Sequence, residues 1–341
     1  MKKIAKKSFP TLLEALAAKQ TLYLPQDDGT GHARYAPWRP DCVLSPALNT
    51  RRSAKDLFFS QIEDLVKFKT QGKQIQIEDN RTSVGDFVLF GVRACDCRSF
   101  DILDRVFLSE PADSRYADRR SHATVVTLAC GAPEETCFCQ SFGIDPAEPG
   151  GDVTCWQTGE DLFFQANTDK GRALLEGLPL EEGDEEPVAQ ERARIRTILE
   201  RLPLRALSTD GFGADRMLEL FHHPAWETLS QSCLGCGTCT FVCPTCQCYD
   251  IREFDTGREI QRFRCWDSCM YSDFTLMSAG QPRPTQLERF RQRFLHKLVY
   301  FPANNQGIFG CVGCGRCLRQ CPIHMNIVKV MKTLGGGTDA T

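Results

Sequence analysis

The stretch CLGCGTCTFVCP occupies residues 233–244, and a second copy of the same pattern, CVGCGRCLRQCP, occupies residues 311–322. Both copies have the form CxxCxxCxxxCP. Cysteines three residues apart allow one tight backbone turn to wrap one side of a cubic metal cluster, and the glycines between them permit a close backbone approach. This spacing is typical of bacterial ferredoxin domains that bind [4Fe–4S] clusters.

In such runs the fourth cysteine, which precedes proline, ligates the other cluster. The sequence therefore predicts two [4Fe–4S] clusters with crossed ligands, termed site 1 and site 2. Site 1 consists of Cys233, Cys236, Cys239 and Cys321, and site 2 consists of Cys311, Cys314, Cys317 and Cys243. Four thiolates per cluster leave no open iron for a substrate, so we predict electron transfer and no catalytic residue. Zinc is the competing interpretation, but Cys₄ zinc sites use two CxxC pairs.

Four more cysteines lie between the two runs: Cys246, Cys248, Cys265 and Cys269. Two interpretations remain open for them. They are buried or cluster-adjacent thiols, or they supply an alternative ligand, a redox thiol pair or a further cluster. The sequence does not assign them as ligands.

The distribution of cysteine predicts how the chain is divided. Seven of the 19 cysteines precede residue 227 and twelve follow it, in a chain of 341 residues. We predict an α/β domain over residues 1–220 and a mainly helical, ferredoxin-like two-cluster domain over residues 221–334. Residues 335–341 are predicted to form a disordered tail.

Composition excludes several functional classes. The chain has 41 Lys+Arg against 44 Asp+Glu, a net charge of −3, which gives no global field for nucleic acid. It lacks the roughly 18 consecutive apolar residues of a membrane span. It also lacks a dinucleotide-binding fingerprint. So many cysteines in a chain of this length indicate metal or redox chemistry in the reducing cytoplasm.

The first part of the chain reads as alternating helices and strands. Phe87–Val92 and Thr124–Leu128 are short apolar or β-branched runs typical of buried strands, and Asp101–Phe107 and Leu57–Phe68 have helical spacing. Within the second part, between the two cysteine runs, Gln286–Val299 predicts a basic helix. Its basic face is either solvated or meets an acidic partner, and it consists of Arg289, Arg291, Arg293 and Lys297.

The two strands predict a third cysteine site, termed site 3. Cys95 follows the first strand and Cys130 follows the second, while Cys137 and Cys139 return on a short loop. If the strands are neighbours, their carboxyl ends lie together at one sheet edge, where ligand sites commonly form. We predict a third [4Fe–4S] cluster on these four thiols. Buried thiols or a zinc site are the alternatives.

Several motifs together carry a resemblance to a known family. They are GVRACD at 91–96, LDRVF at 103–107, the Cys130, Cys137 and Cys139 set, CPTCQCYD at 243–250, WDSCM at 266–270 and CVGCGRC at 311–317. In this combination the chain resembles the iron–sulfur beta subunit of cytoplasmic sulfhydrogenases and the A subunit of anaerobic sulfite reductase. Cys97 and Cys265 are additions to the family pattern.

The resemblance implies a part in anaerobic metabolism. In that family the subunit passes electrons between a flavoprotein subunit that handles NAD(P)H and a separate catalytic subunit. That catalytic subunit is a hydrogenase, a sulfite reductase or a heterodisulfide reductase-like chain. Two alternatives stay open: a stand-alone ferredoxin-type carrier, and an independent thiol–disulfide enzyme using Cys95 with Cys97 or Cys137 with Cys139. The second requires an exposed thiol of low pKa.

Overall fold

A computed structural model describes residues 1–30, 32–45, 50–81 and 83–335, with the side chains of residues 70 and 71 excepted. Of the predicted disordered tail, residues 336–341 lie outside the described residues. No helix in the described part of the chain is long and apolar enough to span a membrane.

The strands run through both parts of the chain. In chain order they are β1 (Lys2–Ala5), β2 (Thr21–Asp27), β3 (Ala33–Pro37), β4 (Ile62–Gln71), β5 (Gln74–Glu78), β6 (Phe87–Val92), β7 (Ala123–Leu128), β8 (Val153–Thr158), β9 (Asp161–Ala166), β10 (Glu181–Glu182), β11 (Tyr249–Asp255) and β12 (Glu259–Trp266).

The α-helices become short in the cysteine-rich part. They are α1 (Phe9–Lys19), α2 (Ala94–Phe107), α3 (Ser114–His122), α4 (Asp169–Leu175), α5 (Glu186–Leu199), α6 (Met217–Phe221), α7 (Ala225–Gln231), α8 (Thr238–Phe241), α9 (Gln286–Leu295), α10 (Phe301–Asn304), α11 (Arg316–Gln320) and α12 (Ile327–Leu334). A π-helical turn, His296–Tyr300, continues α9.

The larger sheet has the order β10-β1-β9-β8-β7-β6-β2-β3. Its middle strands β2, β6, β7 and β8 are parallel. Every residue of β6 is buried, as expected for a parallel strand covered on both faces. The predicted strands over 87–92 and 124–128 are therefore confirmed, and so is their adjacency, because β6 pairs with β7 in parallel.

The smaller sheet has the order β11-β12-β4-β5. Its central pair joins β4 to β12 from Lys69 opposite Glu259 to Ile62 opposite Cys265, with an irregularity at Arg262/Phe263. The predicted helix over Leu57–Phe68 is wrong, because most of that stretch belongs to β4. One sheet thus draws strands from both sides of residue 220.

The cysteine-rich part combines helices with a hairpin. A capping box of Thr285 and Glu288 starts α9, whose Phe290 and Phe294 enter a core shared with Trp226 and with α12. The description of this part as mainly helical is not confirmed, because β11 and β12 form a long hairpin between the two cysteine runs. The mixed, sheet-rich character of the first part is confirmed.

Candidate metal centres

Site 1 surrounds one cavity that all four of its predicted ligands line: Cys233, Cys236, Cys239 and Cys321. Two donors already point at a sulfur there. Gln286 Nε2 donates to Cys233 Sγ at 3.4 Å, and the Gly235 backbone N–H donates to the same sulfur at 3.5 Å. Such donors are what cluster sulfurs and ligand thiolates accept in iron–sulfur sites.

Site 2 lies deeper in the molecule. Cys317 is within electrostatic range of its three predicted partners, Cys243, Cys311 and Cys314. Burial raises the pKa of the Cys311 thiol to about 12. Iron binds the thiolate, so a deprotonated set at this depth requires positive charge close by.

Three buried cations supply positive charge around these cysteines. Lys297 Nζ donates to Thr245 Oγ1 at 2.7 Å, and that hydroxyl lies 3.2 Å from Cys243 Sγ. Lys55 Nζ donates to the carbonyl oxygens of Cys243 and Cys246, both at 3.0 Å. The third cation is the Arg293 guanidinium, which is only 2% exposed.

The hydrogen-bonding groups of Arg293 show whether sites 1 and 2 fit iron–sulfur clusters. Its Nη2 donates to the carbonyl oxygen of Cys239 at 3.2 Å. Its Nε and Nη1 are buried without a hydrogen-bond partner among the described residues. The side chain lines the site 1 cavity and is also close to Cys317 and Cys243 of site 2. Unsatisfied buried N–H groups beside two sets of thiols match acceptor sulfurs that the bound clusters provide.

The predicted basic face of α9 is corrected by these contacts. Arg293 and Lys297 are buried against the cysteines and do not face a partner surface. Arg291 lies over the Phe221 ring, and Arg289 donates to the carbonyl oxygens of Arg283 and Pro284. Helical spacing placed these side chains on one helix, but it could not show which side of that helix meets the thiols.

Site 3 also forms a common cavity, lined by Cys95, Cys130, Cys137 and Cys139. Cys95 lies at the start of α2, just beyond β6, and Cys130 follows β7. The loop that carries the other two thiols is held by the Phe138 N–H, which donates to the Gly313 carbonyl oxygen at 2.8 Å. The expected convergence at one sheet edge is thus present.

The three sites follow one another through the protein. Cys239 of site 1 is within electrostatic range of Cys243 of site 2. Cys314 of site 2 also lines the cavity of site 3. Site 2 therefore lies between the other two. Cys236, at the site 1 end, is exposed.

No group of three His, Cys, Asp or Glu side chains in the described ranges is arranged to hold a single metal ion. A [4Fe–4S] cube places its four thiolates on four different irons. The fit of sites 1 and 3 to clusters therefore rests on their shared cavities, and that of sites 1 and 2 on the unsatisfied donors of Arg293.

The thiol–disulfide alternative finds little support in the geometry. Cys97 does not line the site 3 cavity but a separate cleft beside Asp101 and Arg120. Burial raises the pKa of both Cys97 and Cys137 to about 12. A nucleophilic thiol needs the opposite shift.

Sequence reasoning missed Lys55, Gln286 and the buried role of Arg293. Lys55 lies almost 190 residues before the cysteines whose carbonyls it binds, so no local spacing could have linked them. The capping box that begins α9 at Thr285 was a readable signal, because it places Gln286 in the first helical turn.

Comparison with known proteins agrees with the geometry. Residues 232–325 match the model of a 4Fe-4S dicluster domain. The chain is 34% identical over 283 residues to sulfhydrogenase 2 subunit beta of Pyrococcus furiosus, which covers 82% of each chain. No solved structure matches. With a dicluster domain for two [4Fe–4S] clusters and this identity over most of its length, the chain belongs to the family of sulfhydrogenase beta subunits, which are iron–sulfur electron-transfer subunits.

Proposed function

We propose that this subunit is a three-centre relay between a flavoprotein that handles NAD(P)H and a catalytic redox subunit. The observation that carries the proposal is the row of three cysteine sets, in which Cys314 belongs to site 2 and also lines the cavity of site 3. A third centre at the β6–β7 edge extends the relay from the dicluster domain into the α/β part.

The ligands in the proposal are those that the sequence predicts, with crossed fourth cysteines in sites 1 and 2. When bound, [4Fe–4S] clusters supply one-electron transfer. The protein holds each set of thiols in place, excludes bulk water from sites 2 and 3, and supplies compensating charge through Lys55, Arg293 and Lys297. The exposed side chains of Cys236 and Leu234 mark the site 1 end as a contact surface for one partner.

The iron content of the anaerobically reconstituted chain tests the third centre. Three cubes predict about twelve irons per chain and two predict about eight. The double variant Cys137→Ser/Cys139→Ser should lose about four irons and keep the rest. Cys97→Ser is the matched control, because its thiol lies in a different cleft, and it should keep them all. Iron that stays near eight in the wild type and in both variants would contradict the third centre.

The partners are tested separately. A tagged chain purified anaerobically from its native source should co-elute with a flavin-containing chain and a catalytic chain. The isolated chain should accept electrons from reduced dyes but not from NADH, since it has no dinucleotide fingerprint. Direct NADH oxidation by the flavin-free chain would contradict the proposal that a separate flavoprotein handles NAD(P)H.

A further inference from the structure

Three of the cysteines between the two runs lie close together and belong to none of the three sites. The thiols of Cys248 and Cys269 are near enough for each to shift the pKa of the other. Cys246 is within electrostatic range of both and forms a thiol hydrogen bond to Cys243 of site 2. From the sequence, these cysteines could be inert thiols, cluster ligands or a redox pair. Their contacts distinguish these interpretations.

The β11–β12 hairpin brings the pair together. Tyr249 at the start of β11 pairs with Trp266 at the end of β12, and the Asp267 N–H donates to the Cys248 carbonyl oxygen at 3.0 Å. Cys269 follows on a segment fixed by Ser268, whose hydroxyl accepts a hydrogen bond from Thr240 at 2.8 Å. Two cysteines 21 residues apart in sequence are thus brought side by side by a closed hairpin base.

The charges around the pair are those of a reactive dithiol. The hydrogen bond from Cys269 lowers the pKa of Cys248 to about 7, and Lys297 and Lys55 act in the same direction. The same bond raises the pKa of Cys269. One stabilised thiolate beside one retained thiol is the arrangement of dithiols that cycle between reduced and oxidised forms.

We propose that Cys248 and Cys269 form a redox-active dithiol that exchanges electrons with the neighbouring iron–sulfur carriers. On oxidation the two S–H groups lose two protons and two electrons, and one S–S bond forms. The acceptor is the chain's own set of one-electron centres, each of which takes one electron. Cys246 interacts with both Cys248 and Cys243 and so links the pair to site 2. The subunit thereby holds a two-electron store beside its one-electron relay, whether or not site 3 binds a cluster.

Thiol mapping of the cluster-loaded chain tests the proposal directly. Anaerobic samples poised with an oxidising dye or with excess reductant are quenched in acid with a maleimide, digested, and analysed by mass spectrometry. The expected result is a disulfide-linked peptide pair containing Cys248 and Cys269 in the oxidised sample and two labelled thiols in the reduced one. Labelled thiols at both positions in both samples would overturn the proposal, and this measurement needs no variant.

Electron counting supplies the second measurement. Cys269→Ser should take up two fewer electrons per chain than wild type in an anaerobic reductive titration, with unchanged iron. Cys265→Ser, on the same hairpin but beside Arg252 and Asp250, should match wild type in both. A loss of iron in Cys269→Ser but not in Cys265→Ser would make Cys269 a cluster ligand and refute the dithiol. That result would not change the iron content expected of the Cys137→Ser/Cys139→Ser variant. The dithiol and the third cluster can therefore be refuted independently.

Discussion

A single buried arginine between two sets of cysteines should set the potential of both clusters. Arg293 contributes its charge to the surroundings of Cys239 and of Cys317, and a nearby cation stabilises the reduced, more negative form of a cluster. Arg293→Met should therefore lower the reduction potentials of both dicluster centres. The shift should be on the order of 100 mV, from a few kcal/mol of charge interaction at an effective dielectric constant of about 20.

Redox titration followed by electron paramagnetic resonance measures this effect. Arg291→Met is the matched control, because that guanidinium lies on the same helix but over the Phe221 ring. The control should leave both potentials in place. Equal potentials in the two variants would show that Arg293 acts only in packing.

At the residue scale the sequence predicts sets of cysteines but not the side chains that surround them. The eight cysteines of the paired runs are predictable because iron–sulfur spacing is local and regular. Cys95 and Cys130 were predictable as neighbours because each follows a readable strand. Lys297 was assigned to a basic helix face and Lys55 was not singled out, since a buried lysine is rare without a buried counter-charge, and the counter-charge comes from distant segments.

One glycine joins two elements that carry different cysteine sets. Gly313 has φ of +60°, and a Cβ there would lie 2.4 Å from the Phe138 carbonyl oxygen. Gly313→Ala should push the 137–139 loop away from the second cysteine run, and so reduce the iron content and the thermal stability. Gly307→Ala is the matched control, because Gly307 has φ of +80° with nothing within 4 Å of its Cβ position.

Both alanine variants bear the cost of a left-handed backbone, about 1–2 kcal/mol. Only Gly313→Ala adds a clash. Iron analysis and thermal unfolding, measured side by side, separate the two contributions. If the two variants lose the same iron and the same stability, the contact between the loop and the cysteine run has no role in assembling the sites.

At the element scale the two buried parallel strands were predicted, and the antiparallel strand β4 was not. β6 and β7 read correctly because continuous apolar runs mark buried parallel strands. The stretch that leads into β4 has helical spacing through Leu57, Phe58, Ile62 and Leu65, yet β4 pairs with β5 on one side and with β12, nearly 200 residues later, on the other. Long-range pairing overrides local periodicity, and nothing near residue 62 in the sequence indicates that partner.

At the scale of the whole molecule, one buried ion pair ties the α/β part to the cysteine-rich part. Arg316 and Asp96 are 0% and 1% exposed, and the guanidinium donates to both carboxylate oxygens at 2.5 and 2.6 Å. Arg316 also donates to the Thr50 carbonyl oxygen at 2.7 Å. Arg316→Met leaves the Asp96 charge buried and unpaired, and should cost about 3–5 kcal/mol of unfolding free energy.

Anaerobic denaturant unfolding of the cluster-loaded chain measures that cost. The control is Lys67→Met, which breaks the Lys67–Glu259 pair that also spans the two parts, at 2.6 Å but on the surface. Water screens that pair, so its loss should change the midpoint far less. Similar midpoints for both variants would mean that the buried pair does not hold the two parts together. The predicted boundary at residue 220 stays a prediction, and a single cooperative transition would argue that the parts fold as one unit.

The unequal exposure of the cysteines has a consequence for handling in air. Cys236 is exposed, whereas Cys314 is only 8% exposed. Dioxygen reaches the outermost cluster first, and the deeper one is protected by the chain folded around it. Ageing should therefore proceed from the outside inwards. A briefly aerated sample would keep an intact interior cluster but could no longer transfer electrons to a partner at its surface.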